Sequence, residues 1–469
     1  MHLCNWWQWR LLKSRPSTKI RLAFKRAVCI FVGAQFLVGA CSAASASITA
    51  QQLAAYTAAT ESQRIHILIR LAKTGQPKIA ASLLKQFPLQ GPLAENRTLF
   101  VTGLVKEGQG NLIGAAHDFR EALANDPKLT MVRAELADLL VKLNENDSAK
   151  HHLRLLEADA PTPQAARGIK SFIDRIDEST PFTYGGFVSI APSTNINSGS
   201  GHSTVYSQPL DVNLTIANQQ KSGLGFEAGF NAGYLRRISN KWQVVLSAGV
   251  DGSAYLDPNF DSVSTSETAE MRYLLDNGFL SFGGVASQSF SPTKLNLSFN
   301  SYGPRIAANY QLTQQDLIDA SATYEIRDYG TGAAENGTAL TTHVGVTHAL
   351  DSTMNFTVFG NYHKINSTLG AISYKSYIGG LNVYKEFPMG VSLDASAQAH
   401  FTVFDDVIPL KGYIRQDQRY VGSLTFIKRD LNILGFAPSL SYSYTLNKSN
   451  VENYDYDAHA VDFRFTKEF

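Results

Sequence analysis

Helical repeats followed by a fourteen-stranded antiparallel transmembrane β-barrel form the α + β, two-domain class that the sequence predicts. Three observations carry it. Apolar residues recur at helical spacing up to about residue 178. After Ser179-Thr180-Pro181 the period becomes two and stays so for nearly 290 residues. The chain then finishes on AVDFRFTKEF, where Val461, Phe463, Phe465 and Phe469 place apolar side chains on one face of a last strand.

The first 46 residues differ from the rest. They hold seven Lys/Arg, no acid, an apolar run from Ala27 to Ala40, and small residues ending at Ala46. This order reads as a secretory signal peptide over residues 1–46. Val38-Gly39-Ala40-Cys41 loosely fits a lipobox, so lipidation at Cys41 stays open as an alternative. Of 42 Lys/Arg, removing the leader's seven leaves 35 against 40 Asp/Glu, a net charge of −5. The basic balance therefore belongs to the leader, and nothing points to nucleic acid. The three cysteines, Cys4, Cys29 and Cys41, all precede Ala46. A chain cut there has no disulfide framework and no thiolate metal site.

Residues 47–178 read as a periplasmic helical repeat domain. Gly103, Ala115, Phe119, Ala122 and Pro127 resemble a tetratricopeptide unit, in which small residues let two helices approach and proline opens the next unit. A 34-residue step carries Ala115 to Ala149, Phe119 to Leu153 and Pro127 to Pro161. Such repeats build concave surfaces for peptides or proteins.

Residues 179–469 read as an outer-membrane barrel. Leu224, Phe226, Ala228, Phe230, Ala232 and Tyr234 alternate with Gly and polar residues, and the pattern recurs from Val391 to Val403 and from Leu440 to Leu446. Fourteen segments, from Phe182–Ala191 to Asp457–Phe469, are an even number, as a single-chain bacterial barrel requires. No apolar run of 18 residues follows the leader, which excludes a transmembrane helix but not a barrel. The polar face reads as mostly Ser, Thr, Asn and Gly, suited to a wet lumen. Val461, Phe463, Phe465 and Phe469 then face lipid, and this ending on a terminal Phe resembles the assembly signal of outer-membrane barrels. Closure brings the first and last segments together, where Val188 and Val461, or neighbouring sites set by the register, offer positions for a crosslink.

No catalytic, cofactor or metal site is expected. Asp455, Asp457 and His459 share a strand face with Val461 and read as an outer rim of charge. Asp405-Asp406 read as a solvated loop pair. His151-His152, being adjacent, diverge around a helix rather than chelate. The stretch GTGAAENG reads as an exposed hairpin loop.

One local stretch goes further. Ala191, Pro192, Asn195 and Asn197, within FVSIAPSTNINSGSG, resemble the A-P-x-x-N-x-N motif that ends the first strand in the surface lipoprotein assembly modulator (Slam) family of Gram-negative bacteria. YGPRIAANY and the aromatic C-terminus are similar too. The resemblance spans most of the chain after the leader. It implies an outer-membrane translocon that moves specific surface lipoproteins, or related soluble haem-scavenging cargo, to the cell surface. Implied partners are that cargo, periplasmic chaperones, the barrel assembly machinery and outer-membrane lipid. Exposing acyl methylenes to a wet lumen costs ~0.8 kcal/mol each, on the order of tens of kcal/mol for a triacylated anchor. A lipid-facing seam between the first and last strands avoids that cost. An exopolysaccharide export porin, expected to carry a lumen crowded with Arg and acids, and a general passive porin stay open as alternatives.

Overall fold

The computed structural model describes residues 48–469 except 208, 292–295, 331–333, 409–411, 430, 432–435 and 467–469. The expected signal peptide over residues 1–46, and Phe469, thus lie outside the described residues. The helical part comprises α1 (Ala50–Ala58), α2 (Glu61–Lys73), α3 (Pro77–Gln86), α4 (Ala94–Gly108), α5 (Leu112–Asn125), α6 (Thr130–Lys142), α7 (Asn146–Ala158) and α8 (Pro163–Ser179).

Local chemistry fixes where these helices start. Thr60 and Gln63 form a reciprocal capping box ahead of α2. Asn111 Oδ1 accepts from the Gly114 amide at the start of α5, and Thr162 caps α8 with Pro163 in its first turn. Ala115, Phe119, Ala122, Ala149 and Leu153 are all fully buried. Gly103 on α4 lies where an added Cβ would stand 2.4 Å from the Phe119 ring, so two backbones meet with a ring between them. Pro127 is buried ahead of α6, whereas Pro161 is exposed ahead of α8.

The strands are β1 (Phe182–Ser193), β2 (Thr204–Ser207), β3 (Val212–Thr215), β4 (Gly223–Ser239), β5 (Trp242–Tyr255), β6 (Ser262–Leu275), β7 (Gly278–Ser291) and β8 (Asn296–Gln311). There follow β9 (Asp316–Asp328), β10 (Gly337–Asp351), β11 (Met354–Ser367), β12 (Tyr374–Phe387), β13 (Val391–Val407), β14 (Ile414–Lys428), β15 (Ala437–Ser449) and β16 (Tyr456–Thr466). Fourteen of them close an antiparallel barrel in which β4 to β16 pair in sequence and β1 joins β4 to β16. The remaining two, β2 and β3, form a separate hairpin between β1 and β4.

The side-chain period then sorts the wall. Phe226, Phe230, Leu280, Phe282, Ile306, Val358, Leu424 and Phe463 point outward and are exposed. Paired rings flank this band as interfacial girdles. Phe182 with Tyr234 and Trp242 with Tyr273 stand at the end nearest the helical domain, and Tyr362 with Tyr377 at the opposite end.

Three expectations are corrected. The β2–β3 hairpin has no counterpart among the fourteen segments read from alternation, because four-residue strands fall below the length that reads as spanning. β8 begins at Asn296, ahead of Gly303, where alternation in the sequence places the start of the sixth spanning segment. Pro304 has no N–H to donate, and the described ladder with β9 omits Gly303 and Pro304, which hides the strand's continuation. The closing register sets Val188 opposite Phe465, not Val461, and Ile190 opposite Phe463.

Candidate functional site

The path through a barrel has two mouths, a wall and, in a closed sheet, one joint between its first and last strands. The helical domain covers one mouth. Glu178 of α8 bonds Arg237 of β4 at 2.8 Å, and Lys170 donates to the Asp276 carbonyl in the β6–β7 turn at 3.1 Å. Gln314, between β8 and β9, donates to the Ala160 and Thr162 carbonyls at 3.2 and 3.3 Å. Lys128 pairs with Asp351 at 3.3 Å, at the β10–β11 turn. Between β12 and β13, Met389 and Gly390 both take positive φ, and the Met389 amide donates to the Ala124 carbonyl. Turns on five hairpins are thereby tied to one domain.

The tightest tie is buried. Arg133 on α6 is 1% exposed; its Nη2 donates to the Pro127 carbonyl at 2.6 Å and to Glu386 Oε2 on β12 at 2.5 Å. His151 Nε2 lies 3.5 Å from Glu386 Oε1, and Tyr384 donates to that same oxygen at 3.0 Å. His152 Nδ1 stands 3.3 Å from Arg133 Nη1. Burial, then the Arg429 charge, pushes His151 down to about 4; burial, then Arg133, holds His152 well below the usual histidine range. The two histidines were expected to diverge, yet their rings lie 5.5 Å apart in this one joint. They are packed there as neutral rings between Arg133, Arg429 and Glu386.

The lumen wall is more charged than expected. Ser, Thr and Asn ladders are present, as in Ser396–Ser423 at 2.7 Å and Ser376–Thr402 at 2.8 Å. Among them, Glu270 pairs with Arg305 at 3.1 Å and with Arg272 at 3.5 Å. His343 meets Asp319 at 2.7 Å, and Arg464 bridges Asp462 at 2.7 Å and Glu227 at 3.4 Å. These charges come one or two per strand from widely separated segments, so no run of sequence displays them as a group.

The closing joint has the shortest ladder in the barrel among the described residues. Phe187 to Ile190 pair with Thr466 to Phe463, and Ser193 pairs with Ala460. Ala191 and Pro192 are absent from this ladder, although both pair with β4 on the other side. Proline lacks the N–H that would continue it. Residues 182–186 have no partner among the described residues of β16.

Just beyond Pro192, the motif asparagines tie the end of this joint down. Asn195, 6% exposed, accepts from the Gly199 amide and donates to the Gly199 and Asp457 carbonyls at 2.9 and 3.1 Å. The Thr194 amide donates to the His459 carbonyl at 2.9 Å, and the His459 amide to Thr194 Oγ1 at 2.9 Å. Asn197 holds the two ends of the 194–222 segment together, accepting from the Lys221 amide at 2.9 Å and donating to the Gln219 carbonyl at 2.7 Å. Ser200 Oγ then reaches the Glu452 carbonyl at 2.8 Å. The segment is a strap across the outer end of the β1–β16 joint.

Val461 and Phe463 face outward, and the Phe463 and Phe465 rings meet edge to face at 5.3 Å. Asp457 and His459 lie on the same outward face, with the Tyr442 hydroxyl 2.8 Å from His459 Nδ1. Among the described residues the one cluster with metal-ligand proximity is His117, Asp118 and Glu121 on α5. Lys106 already pairs with Asp118 at 2.7 Å, so a cation occupies that face.

A closed fourteen-stranded barrel, capped at one mouth by helical repeats, defines an outer-membrane protein with its N-terminal domain on the periplasmic side. The family model for Surface lipoprotein assembly modifier matches residues 183–469, and a tetratricopeptide repeat model matches residues 108–171. The chain belongs to the surface lipoprotein assembly modifier family. It is similar to the Surface lipoprotein assembly modifier of Pasteurella multocida, 22% identical over 78% of this chain and 75% of that one. It also resembles Surface lipoprotein assembly modifier 1 of Haemophilus influenzae, 20% identical over 75% and 73%. Salmonella typhi OmpF overlaps at 9% identity over 61% of this chain and 97% of its own, with a TM-score of 0.35, too low to add to the barrel's own geometry.

Proposed function

We propose that this protein moves a surface lipoprotein across the outer membrane, with the polypeptide in the polar lumen and the acyl anchor travelling along the lipid-facing β1–β16 joint. The observation that carries the reading is that joint. Its ladder is interrupted at Pro192, is the shortest in the barrel among the described residues, and is tied at its outer end by a strap, which makes it the place where the wall would open. Keeping the anchor in lipid avoids exposing methylenes that cost ~0.8 kcal/mol each.

The helical domain receives cargo on the periplasmic side, and cargo entry displaces it from the turns it covers. Periplasmic chaperones and the barrel assembly machinery are the further partners this reading calls for, and outer-membrane lipid is the solvent of the outward face. The role is transport, not catalysis. A charged lumen is also what a polysaccharide export porin would show, so lumen composition does not separate the two; family membership favours the lipoprotein.

Co-expression with candidate surface lipoproteins, followed by protease shaving of intact cells, tests the reading. At least one lipoprotein should become protease-accessible only when this protein is present. Export of polysaccharide with no lipoprotein displayed would defeat it.

A further inference from the structure

On the outer wall, just beyond the Tyr362–Tyr377 girdle, two lysines face each other. Lys364 of β11 pairs directly with Lys375 of β12, one step outside Tyr362 opposite Tyr377. Both project outward, since each lies two residues from a lipid-facing tyrosine. The rings, 5.3 Å apart, mark the interface with the hydrocarbon at the end opposite the helical domain. The lysines therefore stand at headgroup level in the outer leaflet.

Like charges placed directly opposite on a sheet repel, and the arrangement calls for an anion. Asp405 answers only in part: its Oδ2 is 3.7 Å from Lys364 Nζ, across the width of β12. Among the described residues no acid lies within ion-pair distance of Lys375, which is exposed. The strands beside the pair add Leu340 and Val403 at the same level, both apolar, so chains of a lipid find contact below the ammonium groups.

We propose that Lys364 and Lys375 form a binding site for the phosphoryl headgroup of an outer-leaflet glycolipid, with Tyr362 and Tyr377 beneath its sugar and acyl portion. A lysine ammonium is a point-charge partner for phosphate, and two of them side by side match a bisphosphorylated headgroup better than a zwitterionic one. The site sits on β11 and β12, away from the β1–β16 joint, and its role is to anchor the far wall of the barrel in the leaflet.

The test uses the purified full-length protein in detergent, with bisphosphorylated lipid A, monophosphoryl lipid A and inorganic phosphate as probes. Bound lipid is read by native mass spectrometry, and barrel stability by the temperature at which heat-modifiable migration is lost. Bisphosphorylated lipid A should bind and raise that temperature. The K364Q/K375Q variant should weaken binding by about thirtyfold, with migration in lipid-free detergent unchanged. K364R/K375R should keep binding, and K448Q, which alters an outward lysine on β15, should leave it unaffected. Equal binding by wild type and K364Q/K375Q overturns the proposal. So does an equal loss in K448Q, which would mean general surface charge, or equal stabilisation by inorganic phosphate, which would mean a free-anion site.

Discussion

Arg133 and Glu386 lie 253 positions apart and meet in the buried joint between the helical domain and the barrel. Removing one partner of such a pair strands the other, at a cost of about 3–5 kcal/mol, whereas replacing both by apolar residues of similar volume costs far less. Arg133→Ala should therefore free the helical domain, read as loss of amide-exchange protection in α6 and α7. Arg133→Met with Glu386→Met should restore much of it. A double variant as exposed as the single one would contradict the account. Gly103→Ala should destabilise the helical domain by about 1–3 kcal/mol in thermal unfolding, because the new methyl overlaps the buried Phe119 ring. Unchanged stability would show that the α4–α5 packing is looser than described. Gly103 and Phe119 could be read from spacing alone, since a repeat brings them together at a fixed offset. Arg133, Glu386 and the two histidines could not, because no local pattern links α6 and α7 to the end of β12.

Elements were legible to the degree that their period was regular. Alternation locates the fourteen strands because every spanning strand has one face in lipid and one in the lumen. It says nothing of the strap at 194–222, whose structure rests on asparagine side chains bonded to backbone rather than on a repeat. The motif residues Asn195 and Asn197 stand out in the sequence only by resemblance; their hydrogen bonds explain what they hold. Asn195→Ala would leave the Gly199 amide and the Asp457 carbonyl short of a partner, at about 1–3 kcal/mol. Exchange at the amides of Ala458 to Ala460 and of Ser189 to Ile190 should accelerate about tenfold or more, while β10 and β11 stay unchanged. Uniform acceleration around the barrel would mean that the strap stabilises the whole sheet and not one joint.

At the scale of the molecule, two domains legible separately become one machine through contacts the sequence does not announce. The helical domain spans turns from five hairpins, so the described state is the capped one. Its release should depend on pH. His151 and His152 are held neutral in the joint, facing Glu386, Arg133, Tyr384 and Arg429, and their proton affinity is lower docked than free. Docking is then complete above about pH 6.5 and weakens as pH falls toward 4, by about 3 kcal/mol for His151 alone. Distance between labels on α7 and the β12–β13 turn should increase at pH 5 relative to pH 7.5. The His151→Gln/His152→Gln variant should lose that dependence, and a wild-type distance that ignores pH would contradict the assignment.

The central claim, that an acyl anchor passes along the β1–β16 joint, is tested most directly by locking that joint. The native cysteines Cys4, Cys29 and Cys41 all precede Ala46, so with all three replaced by serine a single engineered pair reports cleanly. Ile190→Cys with Phe463→Cys uses residues that face each other across the joint and point outward. A disulfide is geometrically strict, so its formation means the strands cannot part there. Oxidation should stop surface display of a lipidated cargo, reduction should restore it, and a non-lipidated version of the same cargo should be exported throughout. Undiminished display of the lipidated cargo after complete crosslinking would contradict the account.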